Sequence, residues 1–531
     1  MTRARLPALI LAGGLVGGLL LAWSDGKGFS LPGALGYALL LAVCTALIVY
    51  AYRSLSVVGV TGLVLGLAFG AMALRVLVGL ALARTLPDLG YENNPENHGY
   101  VFWDAYKRDT DAWQRARGDL PLLVSFTDPK GSDQYGGLLF VSVGVYRYLG
   151  GETHRPLMVV ILTAAASALG VLYVYGFAAS RWGPAVGQTA AWIAALLPES
   201  VLLGASQMRE PFLILGLAML MYGYSVSRGE LRTRGTPWLM TGLLSLMFFS
   251  PPTALAGAAV VGLAALWEGR QAPRIPAWVW WLGIPIGLAG IFLVIRSWAR
   301  LEEITGTFGQ VIVQWLENAG AEWRVGQAAA GSDMLEVVLT ELPPAARLAF
   351  LVAYGLVQPF LPAAIAAPGN PVWKTIAITR SLGWFALVPP LVYGTIAAIR
   401  RRGWRSLEAY LGLLVWVTAL VASYRAPGYQ WDNPRYRAVF LVAQVSLAAW
   451  AWILARSERD PWLLRTYVAL GLSTLIVLHW YLGRYAGLPS LGFEASLAAT
   501  VLAVLAYVGV CLVRDRRSHA ADALRRRPAD V

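Results

Sequence analysis

Long apolar runs recur along the whole chain, most of them flanked by arginine, and they leave little choice of fold. They cover residues 6–23, 31–50, 57–83, 156–179, 182–203, 211–226, 277–295, 382–399, 409–424, 438–454, 466–483 and 495–513. A further apolar region spans 237–267. A helix needs about 20 apolar residues to cross a hydrocarbon layer, and the slightly shorter runs suit helices that are tilted or interfacial at one end. Only 14% of the 531 residues are charged, whereas soluble domains carry about 25%. The chain is therefore read as an all-α polytopic membrane protein.

Region 237–267 centres on Ser250-Pro251-Pro252-Thr253, and paired prolines break a helix ladder. Arg228, Arg232 and Arg234 precede it, and Arg270 and Arg274 follow. A hairpin of two short helices puts both flanks on one side. That gives about 14 transmembrane helices with both termini cytoplasmic, in a plasma (inner) membrane, because the arginines at 53, 181, 228–234, 270–274, 400–405 and 456–459 then all face inward. The first run follows a basic start without a small-residue cleavage site and reads as a retained helix. The net charge of +13 sits at helix ends and in the tail 514–531. That placement fits anionic lipid rather than nucleic acid. Cys44 and Cys511 both fall in apolar runs and read as packing residues. Four scattered histidines give no i,i+4 metal pair, and His479 reads as packed within its helix.

Three polar stretches remain for the outer face: 84–155, 298–344 and 425–437. The first is a long loop between lipid-embedded helices, and such a loop is a natural place for function. Residues 100–117 have helical spacing, ended by Gly118. Residues 138–149 form an apolar stretch too short to span, expected to lie in the interface. On the first of these, Asp104, Arg108 and Asp111 fall at i, i+4 and i+7 on one face, with Asp109 to its side. A carboxylate held there beside arginine can serve as a general base. The same spacing also suits a solvated helix with an i,i+4 ion pair.

Two further groups carry chemistry. Glu199 interrupts a nearly continuous apolar run, and ionisable groups in such runs are functional suspects. It is followed by Arg209-Glu210-Pro211, where Glu210 also suits the positive end of a new helix. Arg425, Arg435 and Arg437 gather on the expected outer side, against the positive-inside bias. Guanidinium groups there suit a lipid-linked phosphate through bidentate, permanent charge, although snorkelling would place them similarly. Arg75, late in the third run, reads as a snorkelling residue. In the stretch 298–344, Glu302, Glu303, Asp333 and Glu336 show no spacing that separates chemistry from solubility.

The segments Asp104…Asp109-Thr-Asp111-Ala-Trp113…Ala116-Arg-Gly118 and Tyr135-Gly-Gly-Leu-Leu…Tyr148-Leu-Gly150 resemble the outer loop of GT-C glycosyltransferases. These are polytopic enzymes that use polyprenyl-phosphate sugars, among them protein mannosyltransferases and aminoarabinose transferases. Pro198-Glu199…Arg209-Glu210 resembles the second outer loop of that superfamily, and Pro434-Arg435-Tyr436-Arg437 its Arg-Tyr motif before a late helix. The resemblance covers about 57–454. It divides the chain into two added helices (1–56), a core (57–455) with its outer loop (84–155), two further helices (456–513) and a basic tail (514–531).

The resemblance implies an inverting transfer of a sugar from a polyprenyl-phosphate donor to an acceptor, a glycolipid, glycan or protein, at the outer leaflet. Asp104, Asp109 or Asp111 would be the catalytic base. Arg209, Arg425, Arg435 and Arg437 would hold the donor phosphate, with Glu199, Glu210, Asp133 and Tyr135 in support. Either these arginines or a divalent cation would carry the developing charge. In the superfamily the acid directly follows the first span, whereas Asp104 lies about twenty residues beyond it, so three aspartates compete. A transporter or flippase for a lipid-linked solute is the alternative. It would place ionisable groups at mid-membrane depth and show repeated halves, and no internal repeat is visible here.

Overall fold

A computed structural model describes residues 5–90, 98–127, 133–227, 232–269, 343–426 and 432–525, with the isolated positions 281, 310 and 313. Among the described residues every regular element is a helix. They are α1 (Arg5–Ser24), α2 (Leu31–Ser54), α3 (Gly62–Leu89), α4 (Trp103–Ala116), α5 (Val124–Thr127), α6 (Gly137–Leu149), α7 (Leu157–Trp182), α8 (Pro184–Leu196), α9 (Pro198–Gly204) and α10 (Glu210–Val226). Then follow α11 (Arg232–Phe249), α12 (Pro251–Glu268), α13 (Pro344–Val357), α14 (Leu361–Ala366), α15 (Pro371–Arg402), α16 (Leu407–Arg425), α17 (Asp432–Ala438), α18 (Leu441–Glu458), α19 (Trp462–Ala486) and α20 (Phe493–Arg525).

Eight of these helices are long and apolar enough to cross a membrane, or ten if the bent pairs α8–α9 and α17–α18 each count as one span. The chain is an all-α polytopic membrane protein. The difference from the expected 14 lies in four places. α10, α11 and α12 form where expected but are only 17 or 18 residues long, and they are not among the ten. The run 277–295 lies outside the described residues, as do the acids between 298 and 342. α11 and α12 meet at Ser250, as the paired prolines require. α6 packs its Leu138, Leu139, Val143 and Tyr146 into the core, against neighbours that include α4 and α2. Cys44 and Cys511 are buried free thiols. His479, expected to be packed, is exposed, because little of α19 is buried.

The bundle is organised on α7. Of its most apolar window, 89% is buried, and α2, α3, α8, α10 and α18 all pack on it. Small residues such as Ala164, Ala165, Ala168, Gly170 and Gly176 line it, which lets neighbouring backbones approach in the absence of a hydrophobic drive between helices. Helices α8, α9, α10 and α12 each begin with proline in the first turn, where its missing N–H costs nothing. Those prolines set where the chain turns.

Charge separates to the two ends of the bundle. At one end Arg181 pairs with Glu268, Tyr224 donates to Glu268 at 2.7 Å, and Trp182 donates to Glu408 at 2.9 Å. At the other, Arg155 precedes α7 and pairs with Asp25, and Glu210 opens α10 beside Arg435. The acids and arginines singled out above gather at this second end.

The break between α8 and α9, a bend of 58°, leaves carbonyls that a membrane protein must satisfy internally. Arg75 does this. It is fully buried and donates to Ala194 O at 3.2 Å, Ala195 O at 3.0 Å and Ser200 Oγ at 2.8 Å. Gly204 makes room for it, since a Cβ there would lie 2.6 Å from Arg75 Cδ. Arg75 is thus a helix cap, not a snorkelling residue. Arg75→Met should cost about 3 kcal/mol, because each orphaned buried carbonyl costs about 1–3 kcal/mol. Thermal unfolding in detergent measures this, and an unchanged midpoint would count against the capping role.

Candidate active site

Helix α4 buries Ala105, Arg108, Asp109 and Ala112, so its inward stripe carries a cation and an anion. Asp109 therefore faces in rather than to the side. Asp104 stands in the first turn and is still substantially exposed, with 45% side-chain accessibility. It pairs with Arg435, 331 positions further on, at 2.8 Å, where the sequence offered Arg108 one turn away. Arg108 turns inward, donating to Gln207 O at 3.1 Å and lying 3.9 Å from Asp133.

Arg435 is the centre of the cluster. Besides Asp104, its Nε lies 3.3 Å from Glu210 and its Nη2 lies 3.4 Å from Asp432. Its guanidinium also packs on the Tyr436 ring at 5.2 Å. On the far side, Arg209 stands 3.9 Å from Asp133 and packs on the Tyr135 ring at 5.2 Å. Asp133 Oδ2 accepts the Leu139 N–H at 3.0 Å, closing the first turn of α6. The turn before it needs glycine. Gly136 has φ +77°, and a Cβ on Gly137 would lie 2.2 Å from Phe248 O. This packs the start of α6 against the end of α11.

Burial pushes the Asp104 carboxyl up, but Arg435, Arg108 and Arg209 outweigh it and hold it below the usual carboxylate range. Arg108 is lowered as well, chiefly by burial. Arg108 Nε, Asp133 Oδ1 and Glu210 Oε2 are buried without a hydrogen-bond partner. Buried polar atoms without partners mark a place where a ligand or water completes the network. No three His, Cys, Asp or Glu side chains among the described residues are grouped as a metal ion requires.

Two other groups lie nearby. Glu199 forms a two-point ion pair with Arg380, at 2.7 and 3.1 Å. Arg437 stacks on Trp384 at 3.5 Å. Together with Arg380 and Glu199 it lines a small pocket of about 20 Å³, whose wall residues Pro359 and Trp384 also line an apolar groove of about 160 Å³. Asp109, by contrast, is only 1% exposed. It accepts from Tyr100 and Tyr146 and lies 2.8 Å from His154 Nε2. His154 in turn stacks on Trp113 at 5.0 Å.

The structure thus brings Asp104, Asp133, Tyr135, Arg209, Glu210 and Arg435 together, with Glu199 and Arg437 in the adjoining pocket. Asp109 lies in its own buried network. Asp111 is half-buried and stands outside these ion pairs. Arg425 is exposed at the end of α16, near enough for its charge to act on Tyr436. Sequence reasoning missed Arg380. It took the apolar run to open at residue 382, whereas α15 begins at Pro371, capped by Asn370, whose side chain accepts the Val372 N–H at 2.9 Å. The Asn-Pro pair was the available signal.

No family model matches this chain, and no curated protein matches it. Among solved structures it is similar to the Archaeoglobus fulgidus oligosaccharyltransferase in the apo form, at 13% identity and a TM-score of 0.37. It is also similar to the oligosaccharyltransferase AglB of the same archaeon in complex with an inhibitory peptide and a dolichol-phosphate, at 13% identity and a TM-score of 0.33. Each match covers 83% of this chain and 54% of the other, so the chain spans about half the length of those proteins. A likeness of this size fixes no function.

Removing Arg435 would leave three carboxylates facing one another. Breaking a buried pair from one side costs about 3–5 kcal/mol, so Arg435→Met should lower the unfolding midpoint strongly. Adding Glu210→Gln should restore part of the loss. A double variant no more stable than Arg435→Met would show that charge is not the cause.

Proposed function

We propose that this protein is a membrane glycosyltransferase of the GT-C kind, moving a sugar from a polyprenyl-phosphate donor to an acceptor hydroxyl with inversion. The observation that carries the reading is the meeting of Asp104, Arg209 and Arg435 at one end of the bundle, from three distant parts of the chain. The sequence resemblance supports the same reaction. The apolar groove supports a donor with an isoprenoid tail, since it shares Pro359 and Trp384 with the small pocket that Arg437 lines.

Asp104 is the preferred base. Of the three candidate aspartates it is the one that combines accessibility with an arginine pair, whereas Asp109 is enclosed by Tyr100, Tyr146 and His154. An aspartate paired with arginine is a weak base, and the donor relieves this. A phosphate arriving at Arg435 competes with Asp104 for the guanidinium, and the freed carboxylate is more basic. Asp104 then takes the proton of the acceptor hydroxyl as the oxygen attacks the anomeric carbon. Polyprenyl phosphate leaves with the electrons of the broken bond. Arg435 and Arg209, aided by Arg437 and Arg425, receive its charge. Phosphate leaves readily, so alignment and charge stabilisation are the main requirements.

The break at α8–α9 is the feature a transporter or flippase would share. The charges beside that break are already engaged, Arg75 in capping it and Glu199 in its pair with Arg380, which favours the transferase.

Asp104→Asn should lower transfer from a radiolabelled polyprenyl-phosphate sugar by about 10²–10⁴-fold, with expression and membrane insertion intact. Asp109→Asn should act mainly through stability. Wild-type rate in Asp104→Asn would sink the assignment of the base. Because Asp104 titrates below the ordinary aspartate value of about 3.9, its loss of base form on acidification sets in only below that value. In kcat/KM, which reports the free enzyme, the rate should therefore stay level from about pH 8 to about pH 5, and a decline within that window would count against Asp104 as the base.

A further inference from the structure

A second cavity, of about 180 Å³, lies at the same end of the bundle as the Asp104 cluster but is lined by other residues. Its walls come from the α1–α2 turn, the end of α3, the segment leading into α4 and the start of α7. By the ~30 Å³ that a water molecule occupies in the liquid, it has room for about six waters, or for one sugar-sized ring.

The charge on its walls is unbalanced. Among the described residues, Lys27, Arg84 and Arg155 face a single acid, Asp25. That acid is already spent, since it pairs with Arg155 and accepts from Tyr37 at 3.0 Å. Arg155 itself is fully buried and fixed by Gly28 O and by Ser30 Oγ, the latter at 3.0 Å. Lys27 and Arg84 are exposed at the rim. Arg84 donates to Ser24 O at one of its nitrogens, which leaves donors over.

The other walls have a mixed character. His98 and Tyr100 offer aromatic rings, and Leu82, Val101 and Val160 an apolar surface. Gln207 also lines the cavity and is only 3% exposed, and its Oε1 has no hydrogen-bond partner. A buried amide oxygen without a donor is costly unless something completes it. Hydroxyl groups would do so. A cationic rim, aromatic and aliphatic walls and one open buried acceptor together describe an anionic ring bearing hydroxyls. The C–H face of such a ring rests on the apolar side, and its acid faces the rim.

We propose that this cavity is a binding site for an anionic sugar head group, a ring carrying a carboxylate or a phosphate. Its walls are wired to the rest of the outer end. The Gln207 carbonyl holds Arg108 of the Asp104 cluster, and Tyr100 holds Asp109. Ala105, beside Asp104 in the chain, is part of the wall. If the transferase reading holds, the head group belongs to the acceptor, but the site itself does not depend on that reading.

The test is direct binding to the purified full-length protein in nanodiscs, with glucuronate and glucose 6-phosphate as probes and glucose as the uncharged control. Both anionic probes should bind more tightly than glucose. Lys27→Glu/Arg84→Glu, which alters exposed residues only, should weaken the anionic probes at least tenfold and leave glucose unchanged. Equal binding of glucose and glucuronate, or unaltered affinity in the double variant, overturns the proposal. Competition between glucuronate and the acceptor during transfer marks the acceptor as the source of the head group, and binding without competition marks a free sugar acid or sugar phosphate. Loss of probe binding in the rim variant alongside full transfer by Asp104→Asn would reject the catalytic reading and keep this site.

Discussion

One guanidinium ties one end of this bundle together. Arg435 reaches Asp104 on α4, Glu210 at the head of α10 and Asp432 on its own short helix. Each partner arrives from a different part of the chain. Three carboxylates around one buried cation are tolerable only while the cation stays, and the cation is tolerable only among them. The setting of Asp104 in the first turn of α4 rests on this exchange, while Asp109 and Arg108 tie the rest of the helix to Tyr146 and Gln207.

The second constraint is the demand of a lipid environment that backbone groups be satisfied inside the protein. It explains why the polar residues collect at helix breaks. The bend at Leu197 needs donors, and Arg75 supplies them to Ala194 and Ala195. The α17–α18 bend of 76° is held by Gln444, which donates to Arg437 O at 2.9 Å, and by Asn433, which donates to Gly355 O at 3.0 Å. The chain thus places its arginines where the helices end, and the proposed phosphate site is a by-product of that architecture.

Two aspartates five residues apart on one helix illustrate how surroundings divide labour. Asp109 is enclosed by two tyrosines and a histidine and has little access to solvent. Asp104 keeps nearly half of its side-chain surface and faces three arginines. Their residue type and helix are the same. Only the neighbours differ.

Much of the fold was legible in the residues. The apolar runs, the proline-led helix starts at 211 and 251, the turn at Ser250 and the gathering of arginines 181, 400–405 and 456–459 towards one end all follow from local chemistry, whereas the run 182–203, read as one span, breaks before Pro198. Periodicity also gave α4. It could not say that Arg108 turns away from Asp104, that Arg75 caps a helix 120 positions away, or that Glu199 belongs to Arg380. Spacing along a helix fixes which face a residue occupies, whereas its charge partner depends on which helix packs against that face. Where the deciding pairs lie as far apart as Asp104 and Arg435 or Glu199 and Arg380, 331 and 181 positions, tertiary packing alone made those choices.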